Sequence, residues 1–220
     1  MSITYQDVQS SPEIRTYITQ ADASLLALGF TEHSFAHVGK CAEVAARILT
    51  ELGYSERDVE LAKIAAFMHD IGNVINRVDH AQSGAIMAFR ILDKMGMEPA
   101  EVAAVVTAIG NHDEHTAFPV NAIAAALILA DKTDVRRSRV RNRDAVAYDI
   151  HDRVNYAVEQ SDVLLDTTQK TITLALTIDT QVCAVMDYFE IFLQRMVLCR
   201  KAAERLGLHF HLEVNSQILL

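Results

Sequence analysis

His69 and Asp70 stand side by side in Phe67-Met68-His69-Asp70-Ile71-Gly72-Asn73, where an apolar helical run beginning near Val59 enters a glycine turn. Placing both groups after Leu61, Ile64, Ala65, Ala66 and Met68 brings two desolvation penalties close to a core. A neutral imidazole and an ionised carboxylate are suitable donors for a divalent metal. Taken alone, the pair is read equally well as a helix C-terminus, with the histidine favouring the dipole and the aspartate opening the turn. Residues elsewhere bear on the choice. His37 lies one helix earlier, and a short turn at Leu52-Gly53 can bring its inner face against that of the next helix. Asp131 ends the run Ala122 to Ala130, where a bare carboxylate needs a partner. His80 and His112 sit at the edges of two further helices. Each has an ordinary reading as a capping or surface residue, but inward side chains from several helices are how metal sites in bundles are built.

The elements that carry these residues read as helices over about the first 160 positions. Ser11-Pro12-Glu13 opens a helix that reaches about Leu28, and Thr31 opens a second that Gly53 ends. Ser55 with Asp58 caps a third, which delivers His69-Asp70 at its exit. Asp79 is expected to cap a fourth, ending at Met95-Gly96. Pro99 starts a fifth, Asn121 a sixth, and a seventh is expected from about Asp144 to Val158. After Ser161 the pattern changes to alternation. Asp162 to Leu165 and Thr171 to Asp179 read as a hairpin, Gln181 to Leu206 as a long helix, Leu208 to Val214 as a third strand and Gln217 to Leu220 as a fourth. The fold class is therefore mainly α: a helical domain over 1–160, and a small α+β unit of antiparallel strands and one long helix over 161–220.

Composition narrows the classes of function. The chain has 220 residues, half of them apolar, enough for a substantial core. Twenty basic side chains against twenty-nine acidic ones leave a formal charge of -9, which argues against bulk nucleic-acid or anionic-membrane binding. No run approaches the roughly 18 apolar residues of a membrane span, and a cytoplasmic location is expected. Cys41, Cys183 and Cys199 form no paired motif and are expected to be reduced.

His37, His69-Asp70 and Asp131 on successive helices resemble the signature of the HD-domain metal-dependent phosphohydrolase superfamily, over about Thr31 to Arg139. His37, followed by a long helix and Leu52-Gly53-Tyr54, is similar to its first histidine. Ala66-Phe67-Met68-His69-Asp70-Ile71-Gly72 is similar to its paired ligands, and Leu129-Ala130-Asp131-Lys132 to its final aspartate. Asp79-His80-Ala81-Gln82-Ser83-Gly84-Ala85 and Ala108-Ile109-Gly110-Asn111-His112 resemble the extra histidine segments of members with two metals. The resemblance implies an HD helical bundle with one or two divalent transition-metal ions (Fe, Mn, Zn, Co or Ni). His37, His69, Asp70 and Asp131 would hold one ion, and His80 and His112 would place a second beside it, with Asp70 able to bridge. Two features depart from the pattern. Asn73 stands where lysine is usual, so a phosphate contact sometimes assigned to that lysine does not carry over. His33, four residues before His37 and on nearly the same face, lies in Glu32-His33-Ser34, which itself looks like the first-ligand segment of some members. Its distance to Leu52-Gly53 favours His37, leaving His33 beside the ligands or facing substrate.

Such a centre activates water for attack on phosphorus, with Asp70 in the catalytic cluster and Lys132 and His115 as candidate proton donors to the leaving oxygen. A phosphorylated substrate also needs cations. If the helix of Asp131 continues, Lys132, Arg136, Arg139 and Arg143 form one stripe beside it, with Arg137 and Arg141 on the other side. They read as a phosphate clamp or as a solvated, ion-paired face. His151, Arg153 and Asn155 line a pocket or an ion-paired helix surface. The expected function is hydrolysis of a phosphoester in a small phosphorylated metabolite, a nucleotide being one class. Two alternatives are a di-iron oxygenase of the same superfamily and a nucleotide-sensing module without turnover. Met186, Phe189, Ile191, Phe192, Met196 and Val197 give the long helix more apolar surface than a small sheet needs, and a homodimer through the C-terminal region is expected.

Overall fold

Short polar residues ahead of apolar runs set most of the helix starts. The structure, a computed structural model, describes residues 2–141 and 149–219. Thr4 caps α1 (Tyr5–Ser10) in a reciprocal box with Asp7, an element that the apolar spacing does not reveal. Ser11 caps α2 (Pro12–Ala27). α3 (Phe35–Glu51) begins after Ser34 rather than at the expected Thr31, because the Glu32 N–H bonds to Arg139 O at 2.8 Å and ties this segment to a distant loop. The helix closes at Leu52-Gly53, where Gly53 takes a φ of 76° that glycine adopts without strain. Ser55 caps α4 (Glu56–Met68), and a 3₁₀ turn (Ile71–Val74) follows.

α5 (His80–Lys94) starts after Asp79 as expected, yet Asp79 is left-handed at φ 56° and its side chain caps nothing. α6 (Pro99–Gly110) and α7 (Ala122–Lys132) follow, the latter capped by Asn121 Oδ1, which accepts from the Ala124 N–H at 2.7 Å. α7 stops at Lys132, short of the arginine stripe, and the chain runs on as a loop with a 3₁₀ turn (Arg137–Arg139). The seventh expected helix is α8 (Ile150–Ala157); Arg143 and the expected start at Asp144 lie outside the described residues.

β1 (Val158–Asp166) and β2 (Thr171–Ile178) form the expected antiparallel hairpin, with Val163 opposite Leu174 and Leu165 opposite Ile172. α9 (Val185–Arg205) then crosses over, and β3 (His209–Val214) pairs with β2 in parallel, not antiparallel as expected. A crossover helix returns the chain to the end where β2 began, which parallel pairing requires. β4 (Gln217–Ile218) adds an antiparallel edge.

Two apolar clusters hold these layers. One fills the space between α1 and α7. The other joins Ile48 of α3 and Ala125, Ile128 and Leu129 of α7 to the buried face of the sheet and to Tyr188, Phe192 and Met196 of α9. The expected boundary near Ser161 thus runs through shared packing. The same packing turns Phe192 and Met196 inward, away from any second copy, leaving Met186 and Leu193 exposed. Among the described residues, no helix is long and apolar enough to cross a membrane.

Candidate metal centre

Each donor sits where a helix starts or ends, so five helices converge on one point. His37 lies in the first turn of α3, His69 and Asp70 follow the last residue of α4, His80 opens α5, His112 follows α6, and Asp131 is the penultimate residue of α7. All four histidines are buried, as is Asp70.

The rings are held in one sense. His37 Nδ1 donates to Asp134 Oδ2 at 2.8 Å, His69 Nδ1 to Ala66 O at 2.7 Å, His80 Nδ1 to Arg77 O at 3.0 Å and His112 Nδ1 to Ile109 O at 2.6 Å. Carbonyl and carboxylate oxygens only accept, so each Nδ1 carries the proton and each Nε2 presents a bare lone pair. These lone pairs meet the carboxylates in two sets. In the first, His37 Nε2 is 3.3 Å from Asp131 Oδ1 and 3.8 Å from Asp70 Oδ2, and His69 Nε2 is 3.3 Å from Asp70 Oδ2 and 3.7 Å from Asp131 Oδ1. In the second, Asp70 Oδ1 is 3.5 Å from His80 Nε2 and 3.9 Å from His112 Nε2, and those two nitrogens are 3.1 Å apart. The two oxygens of Asp70 therefore face different sets.

This donor set fits metal ions. Two bare nitrogens at 3.1 Å repel each other unless a cation lies between them, and neighbouring ligands about 2.1 Å from one ion would be roughly 3 Å apart. Among the described residues, His69 Nε2 is buried with no hydrogen-bond partner, although Asp70 Oδ2 lies 3.3 Å away. His37, His69 and Asp70 form one buried group that could hold an ion, and Asp70, His80 and His112 form another. Electrostatics agree. Burial would lower the His69 imidazole, but Asp70 and Asp131 outweigh it and raise the pKa to about 10, so at neutral pH a proton occupies Nε2 wherever a metal ion does not take its lone pair. Burial would likewise raise Asp70 and Asp131, yet His69 beside the one and Lys132 beside the other hold both well below the ordinary carboxylate range. Cys41 Sγ reaches within 3.6 Å of His37 Nδ1 and 3.7 Å of Ala130 O, forms a further possible ligand group with His37 and Asp131, and is pushed well above the ordinary thiol value by burial.

Around the donors lies a cavity of about 560 Å³, walled by Leu28, Phe30, His33, Arg77, His115 and Arg139 among others. His33 Nδ1 bonds to Thr31 O at 2.7 Å; burial first, then Arg139, push its pKa well below the ordinary value, so the ring is neutral. His115 is exposed on the rim, and His151 and Asn155 line the far wall while Arg153 pairs instead with Asp187.

Among the described residues the expected arginine clamp does not assemble, because α7 ends before it. Arg136 is taken up by Asp134 at 2.8 Å, Arg137 by Tyr156 O at 2.6 Å and Arg141 by Asp22. Arg139 reaches the cavity wall, but its donors serve Glu32 O at 2.9 Å and Asp134 O at 2.8 Å. Lys132, expected as a proton donor, is buried between Asp131 Oδ2 at 2.8 Å and Glu114 Oε2 at 2.7 Å. Burial opposes its charge, but these two carboxylates raise its pKa, so it holds its proton.

Sequence reading missed Arg77, Glu114, Asp134 and Arg195. Arg77 lines the cavity with Nη1 3.4 Å from Asn73 Oδ1 and 3.4 Å from His80 Nε2, and makes no ion pair among the described residues. Its place three residues before His80 is the signal that could have found it. Asn73, where lysine is usual, donates Nδ2 to Asp70 Oδ1 at 2.9 Å and to Asp70 O at 2.9 Å, steadying the shared carboxylate.

No curated protein matches the chain. A crystal structure described as a predicted HD superfamily hydrolase, from an uncultured Thermotogales bacterium, is 29% identical, covers 56% of this chain and 67% of its own, and superposes with a TM-score of 0.45. The family model for the HD domain matches residues 34–190, a span that holds every donor from His37 to Asp131 and extends into α9. The chain therefore belongs to the HD domain family.

Proposed function

We propose that the protein is a metal-dependent phosphohydrolase that cleaves a phosphoester in a small phosphorylated metabolite, nucleotides being one candidate class. His37, His69, Asp70 and Asp131 would hold one divalent ion, and Asp70, His80 and His112 a second, with Asp70 shared between them. Ions bound there lower the pKa of water from about 16 toward 7 and neutralise phosphoryl oxygens. Arg77, beside the second set and without a carboxylate partner, binds a phosphoryl oxygen through its planar fork of donors. Neutral His33 accepts a hydrogen bond from substrate or water at the wall, and His115 on the rim supplies the proton to the leaving oxygen. Lys132 acts as fixed positive charge and not as an acid, since two carboxylates hold its proton. The cavity, about 560 Å³, suits a metabolite and not a polymer. A homodimer through the C-terminal region, using exposed Met186 and Leu193, is proposed alongside; a monomeric mass at micromolar concentration rejects it.

The observation that carries this reading is the convergence of four imidazoles with Nδ1 pinned outward, next to an arginine, Arg77, that makes no ion pair among the described residues. The test is elemental analysis of anaerobically purified protein, followed by phosphate release from a panel of phosphorylated metabolites. Asp70→Asn and His69→Ala are expected to lose both metal and turnover. Retention of both properties in both variants overturns the reading. A redox-active iron pair that consumes oxygen with substrate, without phosphate release, replaces hydrolysis by oxygenation.

A further inference from the structure

Four ionised side chains of alternating sign run from the centre to α9. Asp131 turns Oδ1 toward His37 and His69, while its Oδ2 lies 2.8 Å from Lys132 Nζ. The same ammonium is 2.7 Å from Glu114 Oε2, and Glu114 Oε1 accepts from Arg195 Nε at 2.6 Å. Lys132 is 4% exposed, and these two carboxylates are its ion-pair partners among the described residues. How strongly it draws charge from Asp131 therefore depends on how much negative charge Glu114 offers it. Arg195 sets that share by competing for the same carboxylate. Neither Glu114 nor Arg195 lies among the groups of donors that could hold an ion.

We propose that Glu114 and Arg195 are positioning residues that govern, through Lys132, how much charge Asp131 presents to a cation held with His37 and His69. The strand-linked helix α9 thereby tunes the metal centre. The proposal rests on reading His37, His69, Asp70 and Asp131 as a ligand set.

A row of alternating charges predicts alternating signs. Removing the charge of Glu114 leaves Lys132 to Asp131 alone, so the metal is held more weakly. Removing that of Arg195 frees Glu114 to draw Lys132 away, so the metal is held more tightly. The test uses the full chain, stripped with a chelator and titrated with Mn(II) in a calorimeter. Glu114→Gln is expected to raise the dissociation constant of the tighter site about tenfold, the range in which outer-shell partners act. Arg195→Gln is expected to lower it severalfold, and Arg195→Lys to leave it near the unsubstituted value. In the Glu114→Gln background, Arg195→Gln is expected to change nothing further, because Arg195 acts only through Glu114.

A purely structural role predicts weaker binding in both single variants, and a direct field from Arg195 predicts additive effects; either result overturns the proposal. If Glu114→Gln fails to fold by circular dichroism, Glu114→Asp, which withdraws the carboxylate from Lys132, carries the same expected sign. An unsubstituted protein that binds no Mn(II) defeats the ligand set itself, and this proposal with it. Binding without the alternation defeats the coupling alone.

Discussion

Asp134 has the most consequential contacts of any residue outside the donor set. Its side chain is fully buried and meets His37 Nδ1 at 2.8 Å, Lys40 Nζ at 3.1 Å and Arg136 Nε at 2.8 Å. Asp134→Asn keeps the shape and removes the charge, leaving Lys40 and Arg136 without compensation. It is expected to lower stability by roughly 3 kcal/mol and to weaken metal binding about tenfold by making His37 a poorer donor, as read by denaturant unfolding and metal titration. Arg77→Met is expected to act differently, lowering kcat/KM about 100-fold with metal content unchanged, as elemental analysis beside steady-state kinetics would show. The candidate donors were legible in the sequence because each is a histidine or aspartate at the start or end of an apolar helical run. Arg77, Glu114 and Arg195 were not, because each looks like an ordinary surface cation or anion until tertiary packing brings it to the cavity.

Among the elements, the turn after His69-Asp70 and the start of α5 are locked by two glycines. A Cβ on Gly72 would lie 2.0 Å from His80 O and 2.5 Å from Gly84 N, both backbone atoms that cannot swing aside. Gly72→Ala must therefore push α5 away and carry His80 with it. The expected result is a destabilisation of about 1–3 kcal/mol and selective loss of one metal equivalent, measured by thermal melting and elemental analysis. Most helix starts were legible from Ser11, Ser55, Pro99 and Asn121. The end of α7 was not, since no glycine or proline lies between Thr133 and Asp144. Tertiary bonds stop the helix: Asp134 turns to His37, Arg139 Nη1 donates to Asp134 O at 2.8 Å, and Ser161 Oγ donates to Thr133 O at 2.7 Å. The parallel direction of β3 was hidden for a similar reason, because alternation reports a strand's faces but not which way it runs.

For the whole molecule, buried ion pairs set the acid limit. Burial would raise Glu114, but Lys132 and Arg195 hold it well below the ordinary range; burial would raise Asp134, but His37 and Arg139 lower it further still. Carboxyls depressed in the folded state contribute stability that is fully present above their unfolded values, about 3.9 for Asp and 4.3 for Glu. That stability is lost as pH falls through and below those values. The buried neutral rings of His33 and His112 add to this, since the unfolded chain takes up protons near about pH 6.5 that they do not. The melting midpoint is expected to decline from about pH 6.5 and to fall further toward about pH 3, and Glu114→Gln is expected to flatten the fall below about pH 5.

The donors are drawn from α3, α4, α5, α6 and α7, with His69-Asp70 as the only adjacent pair. An unfolded chain scatters these groups and has little affinity for an ion, so binding is linked to folding. Every ion bound then counts toward the native state alone, and stability rises by RT ln(1 + [M]/Kd). The melting midpoint becomes a meter of free metal concentration, climbing with its logarithm and reporting affinity without any substrate in hand.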